Sequence, residues 1–211
     1  MQEINPWLTI PAADYEGHMN SPQVDQLSFL SRIFRDVLEK YMPRHLAVIG
    51  CTTGNGFEHI DFSVTRQVTA VDINPEYIEV LRHRYSRHLD RIETICADLM
   101  DCHPAQHSFD LVHGALIFEY VDPAPALHRI GKWLLPGGRL SVVLQLESAK
   151  QGPVSESGYQ SVKSVAGIMR LIPPDQFSAI AAAQNFRLES GETETLPSGK
   201  EFFKGIYSCG G

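Results

Sequence analysis

Short apolar runs along the chain alternate with longer stretches in which apolar residues recur at three- and four-residue steps. The short runs have the length and content of buried strands, and the longer stretches have the spacing of amphipathic helices. Strands that alternate with helices favour a parallel sheet with right-handed crossovers. The apolar runs predict five successive strands, at 46–49, 67–72, 92–96, 109–113 and 140–146.

Capping residues predict where the helices begin and end. Ser21 followed by Pro22 is expected to begin the first long helix, which Pro43 ends, and Asn74 followed by Pro75 is expected to begin another. Further helices are predicted at 57–62, 123–134, 162–171 and 177–183, a closing pair of strands at 186–190 and 202–208, and irregular chain at 1–20.

Composition indicates a globular chain and limits its partners. The 211 residues are 43% hydrophobic, which suits one domain with a sizeable core. A formal net charge of −7 argues against a nucleic-acid partner, and the basic stretch 82–91 is interpreted as solvated surface near the end of a helix. We expect a cytoplasmic protein with no membrane partner, because the sequence shows neither a signal peptide nor a membrane-spanning stretch. The four cysteines lack metal-ligand spacing, so no metal is expected.

A glycine-rich turn, Gly50-Cys51-Thr52-Thr53-Gly54-Asn55-Gly56, follows the first predicted strand. Such a turn lets the backbone approach a ligand closely, although an ordinary strand-to-helix turn looks the same in sequence. Asp72 ends the second strand, 22 residues after Gly50, near the spacing at which an acidic residue meets a ribose. Asp98 follows the third strand. Because the carboxyl ends of parallel strands share one edge, these features predict one ligand site.

Taken together, five segments resemble the class I S-adenosylmethionine-dependent methyltransferases, of the type that acts on small molecules. They stand in the order and at the spacing of that family, at 48–56, 70–75, 97–99, 109–112 and 134–140. The resemblance implies an α/β fold: a Rossmann-like, doubly wound sheet of seven strands, mostly parallel with an antiparallel last strand, and helices on both faces.

Two positions depart from the pattern of the family. Val48 stands where the family usually has an acidic residue that helps to hold the amino group of the methionine moiety, and Thr52 stands where it usually has glycine. The Thr52 hydroxyl could donate to a carboxylate instead. These departures leave a non-catalytic, cofactor-binding relative as an alternative.

The resemblance implies S-adenosyl-L-methionine as the cofactor and S-adenosyl-L-homocysteine as its product. Asp72 would accept from the ribose hydroxyls, Asp98 would accept from the adenine amino group, and N–H groups of the turn would hold the carboxylate. The expected cofactor-binding residues are Gly50, Cys51, Thr52, Gly54, Asp72, Ile73, Ala97, Asp98, Leu99, Gly114 and Ala115.

The implied reaction is direct displacement at the methyl carbon, for which the protein mainly aligns donor and acceptor. A general base is needed only if the acceptor must lose a proton, and a lone histidine is more often structural. The candidate catalytic residues are Tyr15, His18, His113 and Glu119, and the candidate substrate contacts are Tyr120, Tyr159 and Met169.

The chain is interpreted as a single domain over 1–211, with an N-terminal cap segment and helix at 1–42 and a lid insertion at 147–175. The segment His113-Gly114-Ala115-Leu116 lacks the Asp/Asn-Pro-Pro-aromatic run of methyltransferases that act on nucleobases or glutamine, which favours a small-molecule acceptor. An NAD-dependent oxidoreductase is the less favoured alternative, because Thr52 interrupts the Gly-x-Gly-x-x-Gly pattern. An aminopropyltransferase shares the sheet, but its long N-terminal β-region is absent. The oligomeric state is left open.

Overall fold

The computed structural model describes residues 5–148, 152 and 154–210, and it contains a seven-stranded sheet. The sheet order is β3-β2-β1-β4-β5-β7-β6, and β7 runs antiparallel to both of its neighbours while the other pairs are parallel. This confirms the predicted fold class. The strands are β1 His45–Ile49, β2 Gln67–Asp72, β3 Ile92–Cys96, β4 Phe109–Ala115, β5 Leu134–Gln145, β6 Phe186–Thr195 and β7 Glu201–Cys209.

Helices cover both faces of the sheet. Alternate residues of each strand point to opposite sides, so the apolar residues of one strand contribute to two cores. On β1, Leu46 and Val48 join a core formed with α1, α2 and α3, whereas Ala47 and Ile49 join a second core formed with α4 and α5. The helices are α1 Ala12–Met19, α2 Gln26–Tyr41, α3 Pro75–Arg84, α4 Pro123–Trp133 and α5 Pro174–Ala183, with 3-10 turns at Pro6–Thr9, Phe57–His59, Ser86–His88 and Gln160–Gly167. In the part of the chain that the structure describes, no helix has the length and apolar content to cross a membrane.

The boundaries of β2 and β3 and the start of α3 agree with the sequence predictions, but the N-terminal region does not. The prediction of irregular chain at 1–20 was wrong, because Ala12–Met19 is a helix that buries Tyr15, His18 and Met19. The prediction that α2 begins at Ser21 and Pro22 was also wrong, because the helix begins at Gln26. Ser21 instead forms a turn, in which its carbonyl oxygen accepts from the N–H groups of Val24 and Asp25.

Three other elements also differ from prediction. The helix predicted at 57–62 is a single 3-10 turn at Phe57–His59. The helix predicted at 162–171 is a 3-10 segment at Gln160–Gly167. Strand β5 begins at Leu134 rather than 140, because residues on both sides of the Pro136-Gly137-Gly138 turn pair with β4. The predicted closing pair of strands is confirmed.

Asn74 joins the N-terminal segment to the sheet. Its side-chain oxygen accepts from the N–H groups of Glu76 and Tyr77 and so caps α3, and its Nδ2 donates to the carbonyls of Trp7 (2.8 Å) and Ile10 (3.2 Å). The segment that precedes α1 is thereby fixed beside the end of β2.

We expect Asn74→Ala to lower the free energy of unfolding by about 2–4 kcal/mol, because it removes a helix cap and two buried hydrogen bonds. Asn74→Ser keeps a capping oxygen and loses only the bonds to Trp7 and Ile10, so its loss should be about half as large. Urea unfolding of both variants measures this. Equal stability of Asn74→Ala and the parent chain would contradict the role given to this side chain.

Candidate functional site

The turn after β1 is held in a conformation that few residues adopt. Gly50, Gly54 and Gly56 have φ of 65°, 84° and 85°, and Thr52 has φ of 47°. A residue with a Cβ is strained in this left-handed region. The Thr52 N–H donates to Asp72 Oδ2 at 2.9 Å, and this bond helps to hold the strained residue in place.

Asp72 lies at the end of β2 and is only 7% exposed. Besides the bond from Thr52, its Oδ1 accepts from the Asn74 N–H at 2.9 Å. Burial raises the pKa of Asp72 to about 6, although the backbone hydrogen bonds act in the opposite direction. Each carboxylate oxygen has a further lone pair, so the group can still accept from a ligand.

A large cavity opens where the order of the sheet reverses between β1 and β4, at the carboxyl ends of the strands. This is the position at which open α/β sheets bind ligands. Nine of the eleven predicted cofactor-binding residues line it, namely Gly50, Cys51, Thr52, Asp72, Ile73, Ala97, Asp98, Leu99 and Ala115. Five of the predicted catalytic and substrate residues also line it, namely Tyr15, His18, His113, Tyr120 and Met169.

The two remaining predicted glycines lie outside the cavity and permit close packing. A Cβ on Gly54 would come within 2.8 Å of the Tyr85 ring, and a Cβ on Gly114 would come within 3.0 Å of the Ile49 side chain. Their small size therefore serves contacts within the protein.

Glu119 also lies outside the cavity. It is buried, and its Oε1 accepts from the Gln145 N–H at 2.7 Å. Burial raises the pKa of Glu119 to about 7, and no described residue bonds its Oε2. The structure gives this carboxyl the role of anchoring the end of β5.

Tyr159 belongs to the segment that covers the cavity and packs against α1. Its ring lies so close to Gly17 that no Cβ would fit there. In the same segment, Ser161 donates to Asp14 at 2.5 Å, and Ser157 Oγ lies 2.7 Å from His18 Nδ1. Helix α1 and this segment therefore cover the cavity as one layer.

His18 and His113 are both buried, and burial lowers the pKa of each to about 4. The Lys200 charge adds to the effect at His18. His113 Nδ1 lies 3.0 Å from Ser141 Oγ, and its ring packs 4.7 Å from the ring centre of Phe34. Both imidazoles are therefore neutral at pH 7.

Tyr15 faces the glycine-rich turn. Burial raises the pKa of Tyr15 to about 12, against the smaller opposite effect of a hydrogen bond with the Thr52 side chain. The phenol is therefore protonated at pH 7 and acts as a hydrogen-bond donor.

Three N–H groups of the turn are used within the protein. Those of Cys51 and Gly54 donate to the carbonyls of Val71 and Cys51, each at 3.0 Å, and that of Thr52 donates to Asp72. The side chains of Tyr15 and Thr52 also line the cavity at this end and add hydroxyl groups to it.

Glu16 ties α1 to the glycine-rich turn. Its Oε1 accepts from the Thr53 hydroxyl and forms an ion pair with Arg84 at 2.9 Å, and Arg84 also donates to the Thr53 carbonyl at 3.1 Å. This network joins the cover, the turn and α3.

Several residues that line the cavity were not predicted. Gln26 and Phe34 stand on one face of α2 two turns apart, and that spacing was a usable signal. Trp7, Tyr77 and Lys200 gave no signal, because only tertiary packing brings them to the cavity. Within the described ranges, no group of three potential metal ligands occurs.

Comparison with known proteins finds a methyltransferase domain over the middle of the chain. A family model described as "Methyltransferase domain" matches residues 47–142. The O-methyltransferase cnsE of Penicillium expansum is 31% identical over 120 residues, which cover 53% of this chain and 42% of that protein. The chain thus spans less than half the length of that relative. These matches support the resemblance to the class I S-adenosylmethionine-dependent methyltransferases that the sequence motifs indicate.

Solved structures share the methyltransferase fold along nearly the whole chain. The [4+2]-cyclase SpnF superposes with a TM-score of 0.70 at 13% identity, covering 95% of this chain and 97% of that one. The N-methyltransferase NodS from Bradyrhizobium japonicum WM9, in complex with S-adenosyl-L-homocysteine, superposes with a TM-score of 0.66 at 15% identity, covering 90% of this chain and 89% of that one. At these identities the likeness concerns the fold alone.

S-adenosylmethionine is the cofactor of the class I methyltransferases that the chain resembles, and the cavity has the chemistry to hold it. Acceptor-only carboxylates stand at the ends of two neighbouring strands, and apolar side chains flank each one. Tyr77 also lines the cavity, and its buried hydroxyl has no hydrogen-bond partner among the described residues. A buried hydroxyl in that condition is satisfied when a polar ligand binds beside it.

The two buried histidines make the stability of the protein depend on pH. A folded pKa below the unfolded value stabilises the protein above about pH 6.5, and that stabilisation is lost as the pH falls towards 4. Asp72 and Glu119 have raised pKa values and act in the opposite direction. The effect must therefore be measured as a difference between variants.

We expect His113→Gln to be less destabilising at pH 5 than at pH 7.5, by roughly 2 kcal/mol, because the variant has no imidazole to protonate on unfolding. His103→Gln, which replaces an exposed histidine, is the control. Urea unfolding at both pH values measures the difference. An equal cost of His113→Gln at the two pH values would show that this imidazole is not held neutral by burial.

Proposed function

We propose that the chain transfers the methyl group of S-adenosylmethionine to a small-molecule acceptor by direct displacement. The observation that carries the proposal is one continuous cavity, with acidic side chains at the ends of β2 and β3 and with histidines and aromatic residues farther along. The first group suits an adenosyl cofactor, and the second suits an acceptor beside it. When bound, the cofactor supplies a methyl group that its sulfonium has already activated.

The adenosine half would be held by groups at the strand ends. Asp72 would accept from the ribose hydroxyls, and Asp98 would accept from the adenine amino group. Ile73 and Leu99 would contact the faces of the base, and Ala115 leaves room for the cofactor at the end of β4. At the methionine end, the protonated hydroxyls of Tyr15 and Thr52 would add to the N–H groups of the turn in holding the carboxylate.

Of the four candidate bases, His18 has the most support. It lines the cavity, is neutral at pH 7, and is positioned by Ser157. His113 also lines the cavity, but it is held between Ser141 and Phe34. The high pKa of Tyr15 makes it a donor, and Glu119 lies outside the cavity, so neither suits a base.

The cavity would enclose the apolar part of the acceptor. Apolar and aromatic walls under a continuous cover suit a small molecule better than a polymer. The name of the related O-methyltransferase from Penicillium expansum favours oxygen as the methylated atom. The cytoplasmic location and the absence of a nucleic-acid or membrane partner stay predictions.

The cover would have to move for ligands to enter. We assign this motion to the cap segment at 1–42 and the insertion at 147–175 of one domain over 1–211. Residues 12–19 and 160–167 both contribute side chains to the cavity and contact each other, which supports joint movement. Residues 1–4, 149–151 and 153 of these segments, together with 211, lie outside the described residues.

We expect the full chain to bind S-adenosyl-L-homocysteine, and Asp72→Asn to weaken that binding about tenfold or more, the equivalent of ~1–3 kcal/mol, by removing a charged acceptor. Asp110→Asn is the matched control, because Asp110 also accepts from two backbone N–H groups but lies at the opposite end of the sheet. Calorimetry measures both variants, with NAD as a second ligand. Equal affinities in the two variants, or tighter binding of NAD, would contradict the assignment.

We expect His18→Gln to lower kcat by about 10²–10⁴-fold while the affinity for S-adenosyl-L-homocysteine stays within twofold, because only proton transfer is lost. Release of S-adenosyl-L-homocysteine over a panel of hydroxylated small molecules measures turnover, with His103→Gln as the control. Binding of cofactor without turnover on any acceptor would favour the non-catalytic alternative.

A further inference from the structure

Four polar side chains that line the cavity are almost completely buried. His18, Gln26, Gln145 and Lys200 are 4%, 3%, 4% and 2% exposed, and all four line the cavity. They come from the end of α1, the start of α2, the end of β5 and the residue before β7. We call this set the polar cluster.

Packing between α2 and the sheet brings the cluster together. Phe29 and Phe202 contact each other with ring centres 4.8 Å apart, which sets the start of α2 beside the start of β7. Residue 202 also pairs with Gln145 across β5 and β7, and Lys200 Nζ donates to Gln145 Oε1 at 3.3 Å. The Lys200 charge reaches His18, where it contributes to the low pKa of the imidazole.

Gln26 is the feature of this cluster that points most directly to a ligand. Its Nε2 is buried and has no hydrogen-bond partner among the described residues. A desolvated amide donor without an acceptor costs free energy, so native proteins rarely leave one unmatched. Because the side chain lines the cavity, an oxygen of a bound molecule is the acceptor it can reach.

The other members of the polar cluster indicate which second group the bound molecule carries beside that oxygen. Ser157 Oγ accepts from the Tyr159 N–H at 3.3 Å, and it accepts from His18 Nδ1 in the tautomer that leaves Nε2 as a proton acceptor. Lys200, which donates to Gln145, adds a positive charge beside the same cavity. The cluster thus offers an amide donor, a positive charge and one proton acceptor, which match an oxygen acceptor and a hydroxyl on the same molecule.

We propose that the acceptor of the methyl group is a hydroxy-carbonyl or hydroxy-carboxylate compound on an aromatic body, and that Gln26 and Lys200 bind its carbonyl or carboxylate oxygen while His18 receives the proton of the adjacent hydroxyl. This inference rests on the proposed methyl transfer and adds the class of acceptor. The aromatic body lies against Trp7, Phe34 and Tyr120, which line the same cavity. Tyr120 and Trp7 already pack edge to face at 5.0 Å, as rings do around an aromatic ligand.

The bonds, electrons and proton of the methyl transfer are accounted for by the acceptor, the cofactor, His18 and water. A lone pair of the hydroxyl oxygen forms the new C–O bond to the methyl carbon. The bond from that carbon to sulfur breaks, and its electron pair stays on sulfur, which becomes a neutral thioether. The hydroxyl proton passes to His18 Nε2 and then to water, so no oxidant, reductant or metal is required.

The test is calorimetry on the full chain saturated with S-adenosyl-L-homocysteine. The probes are 2-hydroxybenzoate and 1-hydroxy-2-naphthoate, which carry both groups, against phenol, benzoate, 1-naphthol and 2-naphthoate, which carry one. We expect at least one two-group probe to bind tenfold or more tighter than each of its one-group partners. Gln26→Leu should reduce that preference at least tenfold, and Lys200→Met should reduce it in the same direction.

Gln106→Leu is the matched control, because it makes the same change at an exposed position. Gln26→Leu should fold and unfold at an equal or higher urea concentration, since it removes an unmatched buried donor and keeps the side-chain volume. Affinity for S-adenosyl-L-homocysteine, measured first in every variant, separates the two proposals. If the parent chain fails to bind it, the proposed function fails. If the parent chain binds it but shows no preference for two-group probes, or if Gln26→Leu keeps the preference, the assigned acceptor class is overturned and methyl transfer still stands.

Discussion

The site is organised by the two backbone hydrogen bonds that the buried Asp72 carboxylate accepts. One comes from Thr52 and holds the turn after β1 in its left-handed conformation, and the other comes from Asn74 at the start of α3. The Asn74 side chain in turn donates to the carbonyls of Trp7 and Ile10, so the position of the N-terminal part of the cover also depends on Asp72. A single carboxylate therefore sets the relative positions of the turn, the helix start and the N-terminal segment, while its remaining lone pairs face the cavity.

Burial is the second constraint, and it determines the charge of the site. Removal from water favours the neutral forms of His18, His113 and Tyr15, whereas Asp72 is retained as a carboxylate near neutral pH by its backbone hydrogen bonds. A neutral imidazole can accept a proton, and a protonated phenol can donate a hydrogen bond. The apolar cover therefore does more than exclude water, because it also sets the protonation states of the side chains that line the cavity.

The sequence supported accurate predictions where local chemistry decides structure. The run that ends at Asp72 and the cap at Asn74 were read correctly, because apolar length and capping residues act locally. Helix α1 was missed because tertiary burial of Tyr15 and Met19 stabilises it, despite the glycine within it. The position of Lys200 could not be predicted, since it reaches the cavity only when α2 and β7 pack together. Gly114 shows the reverse error, because a glycine at a strand end serves packing against Ile49 as readily as it serves a ligand.

A crystal structure of the chain with S-adenosyl-L-homocysteine tests the central claim most directly. The account predicts that the ribose hydroxyls lie within hydrogen-bonding distance of Asp72, roughly 2.5–3.0 Å, with the adenine between Ile73 and Leu99 and the sulfur directed towards the part of the cavity that holds His18. A ligand bound outside this cavity, or a ribose that makes no contact with Asp72, would contradict it.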